Sequence, residues 1–101
     1  MAEKITTRFR RLIKDPKLLL IPGGFSPLGA RMSEEVGFEA FFLAGSQSSA
    51  FLYGLPDIGL MGRKEMAEAT QNITAVSDIA VFVDCDTGYG NSVNAYHAVQ
   101  G

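Results

Sequence analysis

The stretch "VFVDCDTGYGN", Val81 to Asn91, decides how the rest of the chain is read. An apolar run of strand-forming residues ends in two aspartates, Asp84 and Asp86, one residue apart, and then turns through two glycines. Carboxylates are costly to bury unless they are paired, hydrogen-bonded or bound to a cation. Side chains alternate along a strand, so Asp84 and Asp86 point to one face and Cys85 to the other. Two carboxylates that close repel each other unless a cation sits between them. A hard divalent ion fits, because Mg²⁺ is commonly held by one or two carboxylates and keeps its other positions for water and substrate. The plainer reading is a solvated strand end with one aspartate capping the next helix.

Working outward, the same unit recurs. "KLLLIPGG" (Lys17 to Gly24) reads as a strand and its exit. Ser26 offers an N-cap oxygen and Pro27 suits the first helical turn, so a helix is expected over "PLGARMSEEV", with Leu28, Met32 and Val36 as its apolar stripe and Gly37 at its end. "EAFFLAG" (Glu39 to Gly45) is a second buried strand, and Ser46 to Gly62 reads as a packed loop. "RKEMAEATQNITAV" carries Met66, Ala69, Ile73 and Val76 on one helical face, "IAVFVDCD" is the third strand, and "NSVNAYHAVQ" opens another helix. Strands that alternate with helices and are apolar along their length indicate a parallel sheet covered on both faces. The active-site end of such folds is the carboxyl end of the strands. Asp84 and Asp86 fall there, and so does Asp57 in "GLPDIG", although a turn aspartate after proline is common on any surface.

The totals exclude several classes. With 101 residues the chain is one small domain, and a net charge of −2 gives no global reason to expect nucleic acid as a partner. Six of the nine basic residues lie in the first seventeen positions, but Glu3 and Asp15 interrupt the run and no apolar segment with a cleavage site follows. Ile5, Phe9, Leu12 and Ile13 recur at helical spacing, so residues 1–16 read as an amphipathic helix with a solvated basic face. No stretch is long enough to span a bilayer, so no membrane partner is expected. Cys85, the single cysteine, cannot form an internal disulfide, which fits a reducing compartment; the default location is cytoplasmic. His97 reads as a partly exposed helix residue rather than a catalytic base.

Together, "LIPGGFSPLGARMSEEVGFEAFFLAGS", "GLPDIGLM" and "FVDCDTGYGN" resemble the isocitrate lyase and phosphoenolpyruvate mutase superfamily, in its short-chain branch. The resemblance runs in order from about Leu18 onward and implies an α/β fold of the (β/α)₈ TIM-barrel type. Residues 17–101 would hold its first three βα units, an N-terminal fragment of a partial barrel domain spanning 1–101. It also implies Mg²⁺ as cofactor and a small-molecule 2-hydroxy or 2-keto carboxylic acid as substrate. Position by position, Asp84 and Asp86 match the metal-binding aspartates, with Asp84 also near substrate. Asp57 matches the catalytic aspartate of the loop after the second strand, which reaches the metal's water shell or the substrate. Ala44, Gly45 and Ser46 match the segment whose amides and hydroxyl grip the substrate carboxylate, and Phe42 stands where lyases often carry tyrosine. Ser26 stands where many relatives have aspartate, Cys85 where they have alanine, and His97 where they tend to have arginine. Cys85 is expected to be an inert buried thiol facing the helices.

The activity implied is that of a Mg²⁺-dependent carbon–carbon lyase acting on methylisocitrate- or dimethylmalate-like acids. Phosphonomutase and oxaloacetate decarboxylase are the alternatives within the superfamily. The family's proton-moving cysteine loop follows the fourth strand, so the 101 residues alone are expected to be inactive; the full-length family forms homo-oligomers, as tetramers. Two other readings stand beside this one. The chain could be non-catalytic and self-associate through its open strand edge. Alternatively, three βα units could form a flavodoxin-like open sheet, although that fold would supply a late lysine and none follows Lys64.

Overall fold

The computed structural model describes residues 3–56 and 60–100. Helix α1 spans Ile5–Lys14, strand β1 Gly23–Gly24, helix α2 Pro27–Val36 and strand β2 Ala40–Leu43. A short helix α3 (Gly45–Gln47) leads into a π-helical turn, Ser48–Leu52. Helix α4 (Arg63–Thr74), strand β3 (Ala80–Val83) and helix α5 (Ser92–Gln100) complete the order. The three strands are parallel and lie in the order β1-β2-β3. A flavodoxin-like sheet would place β1 between β2 and β3. The sequential order removes that alternative and is the order of a barrel wall. Among the described residues no helix is long and apolar enough to cross a membrane.

Alternation along β2 separates two faces. Phe41 and Leu43 point to the helices and join Ala30, Met61, Met66, Ala69, Ile73 and Ile79 in one buried cluster. Phe42 turns the other way, against Phe82 (ring centroids 5.3 Å apart), and Phe9 of α1 meets Phe82 from beyond (6.0 Å). The N-terminal helix thus packs on the face of the sheet opposite α2 and α4. Of its expected apolar positions Leu12 is buried and Phe9 half-buried, whereas Ile5 and Ile13 stay exposed. Its basic face is not wholly solvated, because the Arg8 guanidinium donates to the Asp78 carbonyl at the entrance to β3.

Helix α2 starts and stops at the predicted residues. Ser26 Oγ accepts from the Gly29 amide at 3.0 Å, Pro27 is the first helical residue, and Gly37 closes the helix in the left-handed region at φ 112°. Glu34 ties its last turn to the β3 entrance, accepting from Ser77 Oγ at 3.2 Å and from the Asp78 amide at 3.1 Å.

Four expectations need correction. The stripe Leu28, Met32 and Val36 is exposed (67, 57 and 75%), and α2 buries Ala30 instead, because a small residue lets the helix approach Phe41 closely. The first strand is shorter than "KLLLIPGG": with Gly23 opposite Phe42, residues before Ile21 lie beyond the start of β2 and have no partner. Leu18 and Leu20 are accordingly exposed. The segment expected as a loop after Gly45 is helical through Leu52, so that Phe51 stacks on Phe25 at 4.8 Å. The helix expected through Val76 ends at Thr74, leaving Val76 exposed beyond it, whereas Met66, Ala69 and Ile73 are buried as expected.

Replacing the cap tests the local logic of α2. Ser26→Ala removes an N-cap hydrogen bond worth about 1 kcal/mol, and urea unfolding of the variant is expected to show a loss of that order with an unchanged m-value.

Candidate active site

β2 and β3 end together, with Leu43 opposite Val83, and the last rung of the ladder is the Asp84 amide donating to Leu43 O at 3.2 Å. Asp84 therefore leaves the sheet beside the Ala44–Ser46 segment. The contact is close: a Cβ added to Gly45 would lie 2.5 Å from Asp84 Oδ2. Only glycine leaves room for the carboxylate in this position. The metal-binding candidate and the carboxylate-gripping candidate are thus adjacent, joined by side chain on backbone.

The expectation that alternation along a strand aligns Asp84 with Asp86 is corrected. β3 stops at Val83, and Asp86 has φ 46°, outside strand geometry. The two residues are brought together instead by a turn, in which the Asp86 amide donates to Asp84 Oδ1 at 2.9 Å. Cys85 faces the helices beside α4, as expected, but it is exposed rather than buried.

The remaining candidates divide. The Ala44 amide is already committed to Gly24 O at 3.0 Å, so it has no hydrogen to offer a ligand. Gly45 and Ser46 are the first residues of α3, where backbone N–H groups have no acceptor within their own helix. The buried Ser48 hydroxyl turns back to Ala44 O at 2.7 Å and closes this segment. Phe42 lies two residues before Ala44 on the same face of the sheet, engaged with Phe82. Ser26 is occupied as a helix cap, and His97 is exposed on α5. Asp57 lies outside the described residues.

The turn after Asp86 carries features that the sequence reading passed over. Asn91 caps α5, its Oδ1 accepting from the Val93 (3.0 Å) and Asn94 (3.2 Å) amides, and Asn94 Oδ1 returns a bond from the Asn91 amide at 3.2 Å. This is a capping box made of two asparagines; the signal was the Asn-x-x-Asn spacing. Tyr89, at φ 66°, turns its ring against the buried cluster, and its hydroxyl is buried with no hydrogen-bond partner. Burial, and then the nearby Cys85, Asp86, Asp84 and Glu65, push this phenol up to about 12. Among the described residues no group of three or more His, Cys, Asp and Glu side chains converges on one point. Among the described residues the turn brings together two acidic residues, Asp84 and Asp86, a donor set that suits the sparse protein ligation of Mg²⁺ rather than a closed cage.

Comparison with known proteins concerns the chain as a whole. The sequence model of the phosphoenolpyruvate phosphomutase family matches residues 9–100. The chain is 38% identical over 93 residues to a 2-methylisocitrate lyase of Bacillus subtilis, covering 92% of this chain and 31% of that protein. It is 39% identical over 98 residues to the chloroplastic carboxyvinyl-carboxyphosphonate phosphorylmutase of Arabidopsis thaliana, covering 96% and 29% respectively. Among solved structures, a phosphonopyruvate hydrolase in complex with oxalate and Mg²⁺ superposes with a TM-score of 0.88 at 27% identity, covering 96% of this chain and 34% of that one. The chain therefore spans about a third of the length of the proteins it matches.

The buried phenol generates a pH prediction. A raised folded-state value means that the neutral form stabilises the fold; this contribution is complete below the ordinary tyrosine value of 10.0 and is lost as pH rises toward about 12. Tyr89→Phe is expected to lose less stability than the parent chain across that window in urea titrations. At neutral pH the variant should be at least as stable as the parent, since it removes an unpaired buried hydroxyl.

Proposed function

Because the chain belongs to the phosphoenolpyruvate phosphomutase family, a family of lyases and mutases built on the (β/α)₈ barrel, we propose that it carries the metal-binding and carboxylate-binding part of a Mg²⁺-dependent carbon–carbon lyase. The substrates are 2-hydroxy or 2-keto carboxylic acids of the methylisocitrate or dimethylmalate type. One observation carries the proposal: the Asp84 carboxylate lies against Gly45, which joins the two halves of a metal-plus-carboxylate site at the carboxyl end of adjacent strands. The Mg²⁺ and oxalate named for the phosphonopyruvate hydrolase structure support it by analogy.

In this reading Asp84 and Asp86 hold the ion, and Asp57 serves its water shell or the substrate. When bound, Mg²⁺ supplies Lewis-acid polarisation of the substrate's hydroxyl or keto oxygen. The chain's own groups orient the acid. Gly45 and Ser46 turn backbone N–H groups, and Ser46 a hydroxyl, toward a substrate carboxylate and offset its charge. Phe42 lines the same face of the sheet below Ala44. The group that protonates the departing carbanion belongs to the whole enzyme, on the loop that follows the fourth strand in the resemblance. A homo-oligomer and a cytoplasmic setting complete the proposal for the whole protein.

A phosphonomutase reading keeps the same metal site and differs in the bond broken; the near-equal identities to the lyase and to the phosphorylmutase keep it in play. Assaying an intact full-length homologue against methylisocitrate, dimethylmalate, oxaloacetate and phosphonopyruvate separates them: release of a keto acid from methylisocitrate or dimethylmalate supports the lyase, and turnover of phosphonopyruvate alone supports the other branch.

Two variants test the metal site. Asp84→Asn with Asp86→Asn is expected to abolish Mg²⁺ binding by the chain in calorimetry; binding that survives the double change ends the proposal. Gly45→Ala forces the Asp84 carboxylate to rotate away. Since the atom it meets is the free end of a side chain, stability should change little while the Mg²⁺ dissociation constant rises about tenfold, some 1.4 kcal/mol.

A further inference from the structure

We infer that Tyr89 is a positioning residue for the two aspartates: its ring, set between α4 and α5, holds the turn in the backbone conformation that places Asp86 against Asp84. The consequence for metal binding rests on the reading above, whereas the conformational claim stands apart from it.

Four residues of this turn lie at positive φ, namely Asp86 (46°), Gly88 (88°), Tyr89 (66°) and Gly90 (148°). Glycine adopts these values freely and aspartate tolerates them, but a bulky side chain in the left-handed region is an outlier. Such a residue persists only where its surroundings over-determine it. Asparagine or glycine at position 89 would meet the backbone demand with less strain, so the side chain must supply something that they lack.

The surroundings show what that is. The ring packs against the buried cluster and lines a cleft of about 200 Å³ together with Arg63, Met66, Thr70, Val83 and Cys85. The hydroxyl makes no hydrogen bond although it is buried, and neither does the buried Arg63 Nε on the same cleft. Hydrogen bonds of its hydroxyl therefore do not hold the tyrosine; apolar packing of its partly buried ring does. From the other side α5 closes on the turn, for a Cβ added to Gly88 would lie 2.5 Å from Ala95 Cβ, and Asn91 and Asn94 fasten the helix start. Between these two fixed points and the end of β3 the backbone has one course. Along it the Asp86 amide reaches Asp84 Oδ1. The ring thus acts three residues away from Asp86, through the turn.

The test uses the chain itself with two readouts, hydrogen exchange at the Asp86 amide and Mg²⁺ titration by calorimetry. The Phe42 and Ala44 amides, bonded to Pro22 O and Gly24 O in the sheet, serve as internal references for the fold. Tyr89→Phe is expected to match the parent in both readouts. Tyr89→Ala and the milder Tyr89→Leu are expected to raise Asp86 exchange about tenfold or more while the reference amides hold, as local opening does. Both should weaken Mg²⁺ binding by a similar factor. If Tyr89→Ala unfolds the chain, Tyr89→Leu decides. Asp86 protection that survives Tyr89→Leu or Tyr89→Gly overturns the inference. So does a uniform loss at Asp86 and the reference amides with Mg²⁺ affinity unchanged, which would make Tyr89 a core residue only. A parent chain that takes up no Mg²⁺ defeats the metal reading, and the exchange readout then decides the inference on its own.

Discussion

The register that sets Leu43 opposite Val83 brings two loops to the same height at the same edge of the sheet. One residue further on, Asp84 gives its amide to Leu43 O and lays its carboxylate against Gly45. A shift of one residue in either strand would turn Asp84 toward the helices, because side chains alternate along a strand. The site is thus a consequence of strand pairing, and strand pairing depends on Phe41 and Leu43 being buried against α2 and α4. Core packing and chemistry are separated by one peptide unit.

Membership of a barrel family explains where the apolar surface remains open. Phe82 is 53% exposed on the face of the sheet opposite α2 and α4, and the α2 stripe of Leu28, Met32 and Val36 is exposed too. In a closed eight-stranded barrel the interior is filled by side chains from alternate strands, and each helix packs between two neighbours. Apolar surface of this kind is what such packing covers. The chain corresponds to about a third of its relatives' length.

Much of this was legible in the sequence because the signals were local. Ser26-Pro27 and Gly37 bound α2, apolar runs marked β2 and β3, and the order of motifs pointed to the family. What escaped depended on partners distant in sequence. The length of β1 is set by where β2 begins, and the burial of Ala30 rather than Leu28 by the approach of Phe41. The same-face argument for the aspartates assumed that β3 continues to Asp86, whereas its partner strand ends at Leu43. The π-helical turn after Gln47 carries serines and apolar residues in a mixture that has no helical period, and its shape comes from packing. Gly45 was marked as a candidate for its amide; that its missing side chain makes room for Asp84 could be known only once the two loops were adjacent.

The sheet is laid down in chain order, each strand beside the one that precedes it. A polypeptide emerging from the ribosome can therefore complete each rung with segments already in hand, without waiting for distant sequence to be synthesised. That arrangement keeps loop-closure entropy low at every step. Among the described residues it also leaves β3 at one edge of the sheet, where unpaired backbone is a template for an added strand.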